Sequence, residues 1–128
     1  MSGYPPRITD AERRTWQRRA LAVLDELLTI GAAQKLSTLS WSLDPLGDLV
    51  GAVFSRYDVP ENQRREVAYR DWQRWTTAIE AAPRQVAGHT DCDYLAAETI
   101  RDRVVRVVIS AYLPERPKVL DDATSEVP

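Results

Sequence analysis

Apolar side chains repeat first with a helical period and then alternate, and this pair of rhythms occurs twice along the chain. Trp16, Ala20, Val23, Leu27 and Ile30 recur at spacings of four and three, with Leu21, Leu24 and Leu28 widening the stripe. Such spacing turns one face of a helix toward a core. Thr9 and Glu12 form a capping box at its start, since each side chain can satisfy an amide that the first turn leaves orphaned. Gly31 accepts the left-handed conformation in which helices often finish, and is the predicted stop.

Leu39, Trp41 and Leu43 then alternate with Ser40, Ser42 and Asp44, the rhythm of a half-buried strand. Asp44-Pro45-Leu46-Gly47 supplies turn chemistry. Leu49 to Phe54 returns, so residues 38–54 read as a hairpin, and Gly51 within it marks a bulge or a close backbone approach. A second helix opens at Asp58-Val59-Pro60-Glu61, where Asp58 can cap and the proline loses no helical hydrogen bond. Ala68, Trp72, Trp75, Ile79 and Ala82 carry its apolar stripe, and Pro83 ends it. Tyr94 to Ile100 and Val104 to Tyr112 form a second hairpin around Arg101-Asp102-Arg103, with β-branched Val104, Val105, Val107, Val108 and Ile109 favouring strand.

The expected fold is therefore α+β in αββαββ order, a four-stranded antiparallel sheet with two helices packed on it. Residues 1–8 read as a flexible leader, 9–113 as a single domain and 114–128 as a flexible acidic tail. The two αββ halves share a plan without a residue-level repeat. The run Leu39 through Val53, the helix holding Asp71-Trp72-Gln73-Arg74-Trp75 and the Val104-to-Tyr112 strand resemble a class of small uncharacterised proteins from high-GC actinobacteria, over roughly residues 20 to 112. The resemblance implies an α+β fold and brings no activity, catalytic residue or cofactor. The element order is also similar to small dimeric secretion-chaperone-like domains, a likeness of fold alone.

Charge narrows the function. The formal net charge is −2, and residues 114–128 account for all of it, leaving a body with 15 acidic and 15 basic residues. A neutral body lacks the field of a dedicated nucleic-acid binder. One cysteine, Cys92, excludes an internal disulfide and fits a reducing compartment. The N-terminal residues have no apolar h-region and no run approaches membrane-spanning length, so a cytoplasmic location is expected.

Candidate chemistry is sparse. His89-Thr90-Asp91-Cys92-Asp93 holds the chain's one histidine and one cysteine, where a zinc site takes about four ligands. As a nucleophile Cys92 would have only His89 as base, in acidic surroundings that disfavour the thiolate. Ser37, Ser40, Ser42 and Ser110 lack the glycines of a nucleophile elbow, and the five glycines are scattered rather than grouped in a phosphate loop. Asp44 and Asp48 flank the first hairpin turn, where acids also simply cap turns, and Glu98 sits on the second hairpin. No catalytic, cofactor-binding or metal residue is assigned, and the chain is not expected to be an enzyme.

Two surfaces remain. Arg13, Arg14, Arg18 and Arg19 crowd the first helix, and Arg64, Arg65, Arg70 and Arg74 the second. Arg13, Arg14, Arg18, Arg64 and Arg65 form the candidate nucleic-acid patch, although interleaved acids at helical spacing favour local ion pairs. In the last strand Val105, Val107, Ile109 and Ala111 are expected to face the helices. Val50, Phe54, Val104, Arg106, Val108 and Tyr112 then fall on the outer sheet face, the candidate partner surface. Periodicity leaves open whether the first helix covers that face. The expected function is a protein–protein interaction module, a small regulator or adaptor working as a homodimer. Nucleic-acid binding is the alternative, and a small enzyme without a recognisable motif comes third.

Overall fold

A computed structural model describes residues 7–54, 56–84 and 94–114. Helix α1 (Asp10–Ala33) begins as the capping box requires, the Glu12 amide donating to Thr9 Oγ1 at 3.1 Å. It does not stop at Gly31. The Leu36 amide donates to Gly31 O at 2.8 Å and the Lys35 amide to Ala32 O at 3.3 Å, around Lys35 at φ 55°. That is a Schellman motif closed by a lysine. Gly31 serves packing instead, because a Cβ there would lie 2.9 Å from the Trp75 ring.

Strands β1 (Ser40–Leu43) and β2 (Leu49–Val53) form the first hairpin. Asp44 Oδ1 accepts from the Leu46 and Asp48 amides at 2.8 and 3.0 Å, and Gly47 takes φ 88°. Gly51 answers the close-approach expectation, for it lies opposite Trp41 and a Cβ would meet that indole at 2.7 Å. Helix α2 (Glu61–Ala78) follows Pro60, with no side-chain cap. Asp58 pairs with Arg56 instead of capping it. A second Schellman motif ends α2 at Glu80, φ 55°, before Pro83 is reached.

Here the structure departs from the expected topology. Ala82–Arg84 is a strand, β3, paired antiparallel with β4 (Tyr94–Arg101), and β4 pairs antiparallel with β5 (Val105–Tyr112). The sheet has five strands in the order β1-β2-β5-β4-β3, and β2 and β5 are parallel. The four-stranded antiparallel expectation is thus corrected to an α+β fold with a mixed five-stranded sheet. The cause is α2, which carries the chain from β2 to the far edge. β3 runs there in the direction of β2, and β4 and β5 return to the centre. Pro83 can sit in β3 because that strand is an edge, where one amide has no ladder partner to find.

Both helices pack on one face. Ala20, Val23 and Leu27 of α1 and Trp72, Trp75 and Ile79 of α2 share one core cluster with Val105, Val107, Ile109 and Ala111. The alternation expected for β5 therefore holds. The indoles carry hydrogen bonds into this core, Trp72 Nε1 donating to Ile109 O at 2.9 Å and Trp75 Nε1 to Ser37 O at 2.7 Å. Trp41 meets Trp75 edge-on, with centroids 5.7 Å apart. Among the described residues no helix is long and apolar enough to cross a membrane.

Candidate functional site

The outer sheet face resolves into bands. Register puts Ser42, Val50, Val108, Glu98 and Ala82 in one row and Ser40, Ala52, Ser110, Ala96 and Arg84 in the next. Arg84 and Arg106 both pair with Glu98, the latter through Nε at 3.3 Å, and together with the Arg84 hydrogen bond they hold the Glu98 carboxyl below its usual range. Asp48 beside them is pushed up by burial and by Asp44, with Arg106 opposing. Phe54 and Tyr112 are exposed at the finishing end of β2 and β5, and the Tyr112 ring lies 4.5 Å from Tyr94.

Of the expected partner surface, Val50, Arg106 and Tyr112 keep outward positions, whereas Phe54, just past β2, lines a cleft together with Ser37 and with Asp71 of α2. Val108 does too, but it is only 8% exposed, flanked by Val50 and Glu98. Val104 is not on this face. Asp102 and Arg103 both take positive φ, the Val104 amide closes the turn on Arg101 O at 3.2 Å, and Arg101 pairs with Val105. Val104 is left outside the ladder. It lines an apolar cleft of about 370 Å³ with Ile8, Trp16, Leu46 and Gly47, rimmed by Arg19. Arg19 itself reaches Asp102 at 3.6 Å.

The candidate nucleic-acid arginines do not converge. Arg13, Arg14 and Arg18 belong to the α1 end that packs Trp16 against Gly47, where β2 starts. Arg64 and Arg65 open α2, beyond the finish of β2, and Arg65 Nη1 donates to Pro114 O at 2.8 Å just past β5. Arg64 donates to Val59 O at 2.9 Å with its guanidinium 5.2 Å from the Tyr57 ring centroid, and Arg13 pairs with Asp10 at 3.2 Å. Two short groups at opposite ends of a parallel strand pair do not make one phosphate track.

Sequence reasoning missed two features. On α1, Leu21 and Leu28 are 53% and 52% exposed, with half-buried Leu24 between them. In the sequence they widen the core stripe, from which only their angular offset separates them. Arg18 and Asp25 flank this row, seven residues apart, and form no ion pair among the described residues. The second feature is a cleft of about 360 Å³ where the α1–β1 loop, the finish of β2 and α2 meet. Ser37, Thr38, Phe54, Arg56, Tyr57 and Asp71 line it. Asp71 is 8% exposed on α2 and accepts no hydrogen bond among the described residues; Arg56 Nη1 stands 3.8 Å away. Burial pushes the Asp71 carboxyl up, with Arg56, Arg74 and Arg70 opposing. Ser37 Oγ, in the same wall, is buried without a partner. The signal for both lies in tertiary placement and not in any motif.

His89, Asp91, Cys92 and Asp93 lie outside the described residues, as do residues 1–6 and 115–128, which hold most of the expected leader and tail. Among the described residues no group of three His, Cys, Asp or Glu side chains could hold a metal ion. No family model matches this chain, and neither does any curated protein or solved structure. The sequence resemblance accordingly adds nothing to the function.

Proposed function

We propose that the chain is a non-catalytic interaction module that pairs with a second copy of itself through α1. The observation that carries this reading is the row Leu21, Leu24 and Leu28, at the three-four spacing of a coiled-coil seam on an otherwise charged helix surface. Packing Leu21 against Leu24 of the second copy in an antiparallel pair brings Leu28 opposite Gln17. The same register sets Arg18 against Asp25, twice by symmetry. Both residues lie on the same flank of the row, so a parallel pair would place them on opposite sides of the seam, where they could not meet. Complementarity therefore favours the antiparallel two-fold arrangement.

Sedimentation equilibrium tests the reading. The wild-type chain is expected to dimerise, and Arg18→Glu or Asp25→Arg to weaken the dimer roughly tenfold each by opposing like charges. The double variant, which restores opposite charges, is expected to recover it. A wild-type chain that stays monomeric at all concentrations refutes the reading. Single and double variants that dimerise alike would refute the α1 register.

A further inference from the structure

The sheet has two edges, and they are not alike. β3 carries Pro83, which has no amide N–H, and the charged Arg84, both features that keep a further strand from adding. β1 reads Ser-Trp-Ser-Leu, with no proline and no charge, and among the described residues no strand lies beyond it. Its main chain is set for pairing. The Asp44 amide donates to Asp48 O at 3.0 Å, and hydrogen-bonded pairs in an antiparallel ladder fall on every second residue. Ser42 and Ser40 therefore bond to β2 opposite Val50 and Ala52, while the N–H and C=O groups of Trp41 and Leu43 point to the open side. Leu39 shares the core with both, so the extended alternation reaches back one residue. The Trp41 ring lies over Gly51 in β2, where a Cβ would meet it at 2.7 Å, and so leans away from the open edge rather than covering it.

An unpaired row of main-chain donors and acceptors is matched by another extended strand. β1 is its own complement. Placed antiparallel to itself about Trp41, it sets Leu39 opposite Leu43 on the helix-covered side and Ser40 opposite Ser42 on the outer side, so apolar meets apolar and hydroxyl meets hydroxyl. No charged residue lies between Lys35 and Asp44, and Asp44 falls opposite Thr38, so no like charges meet across the axis. The neighbouring register, centred on Ser42, sets Leu39 against Pro45, which has no N–H to give. We propose that β1 pairs antiparallel with β1 of a second copy, Trp41 opposite Trp41 on the two-fold axis, with about six inter-chain hydrogen bonds from Leu39, Trp41 and Leu43 joining the two sheets. The contact uses no α1 residue and stands independently of the leucine row.

Cross-linking tests the register directly. Ser40 and the second copy's Ser42 face each other as a non-hydrogen-bonded pair, with Cα atoms about 4.5 Å apart and within disulfide reach. Like positions lie about 7–8 Å apart on the diagonal. In a Cys92→Ser chain, Ser40→Cys mixed with Ser42→Cys is therefore expected to form the mixed disulfide about tenfold faster than either variant oxidises with itself. Ser40 and Ser42 are exposed and their main chain is already bonded to β2, so charges there leave the fold intact, which circular dichroism checks. By sedimentation equilibrium, Ser40→Lys with Ser42→Lys in one chain opposes like charges twice and should weaken self-association about tenfold, whereas Ser40→Lys with Ser42→Glu should tighten it. Arg18→Glu reports the α1 contact alongside. Association that responds to the edge charges and not to Arg18→Glu supports the edge and refutes the α1 pairing; the reverse response retains the α1 pairing and overturns the edge. Mixed and self disulfides that form at equal rates, or edge variants that associate like the wild type, overturn the proposal.

Discussion

Lys35 and Glu80 hold the left-handed conformation that ends α1 and α2, a place usually given to glycine. A side chain there crowds the following carbonyl, at a cost of roughly 1 kcal/mol or more. Lys35→Gly removes that crowding while freeing the unfolded chain, so the net expectation is a stabilisation of about 0.5 kcal/mol, measured by urea denaturation. Asp71 is the opposite case, a residue whose discomfort is chemical. Its folded pKa lies above the ordinary 3.8, so between those two values the folded chain binds a proton more tightly than the unfolded chain. Its contribution is therefore fully favourable below 3.8 and is lost as pH rises through the folded pKa. Asp71→Asn, which cannot ionise, is expected to match the wild type in acid and to exceed it in stability at neutral pH. Asp48 shares this sign, and Glu98 and Asp58, whose values are lowered, have the reverse. The difference between variant and wild type isolates Asp71, and a variant less stable at neutral pH would refute the assignment.

At the scale of elements, what was legible is what local periodicity encodes. The capped start of α1, the hairpin turn at Asp44, the inward set Val105 to Ala111 and the close approach at Gly51 all follow from spacing and turn chemistry. What was not legible depends on distant partners. β3 is three residues long with a proline in the middle, so it has no alternation to read, and only its pairing with Ala96 to Glu98 makes it a strand. Its presence decides the direction in which β5 enters the sheet, and hence the parallel contact with β2. Gly31 departs from expectation for a related reason: a glycine near a helix end suggests a stop, but here Trp75, 44 positions later, needs the space. The site residues divide in the same way. Val104 had the right parity for the outer face and lost it because two positive-φ residues leave it outside the ladder. Asp71 and Ser37 are 34 residues apart and meet only in the fold.

For the whole molecule, both helices on one face leave α1 with a core side and a flank, and the flank carries the leucines. If two copies pair there, folding and association become linked, since only folded chains present the row. Stability should then depend on concentration: each tenfold rise above the dissociation constant adds about 1.4 kcal/mol per dimer, so Tm climbs with protein concentration. Leu28→Lys should flatten that dependence. Lysine is as good a helix former as leucine, and the site is 52% exposed, so the dilute-solution Tm should barely move. A variant at a core position such as Leu27, fully buried in the same helix, behaves oppositely, lowering Tm at every concentration without changing the slope by this route. Calorimetry of the wild type and Leu28→Lys over a wide concentration range therefore separates a partner surface from a stray apolar patch. A wild-type Tm that is constant with concentration would leave the leucines as ordinary exposed side chains, and the pairing would have to be abandoned.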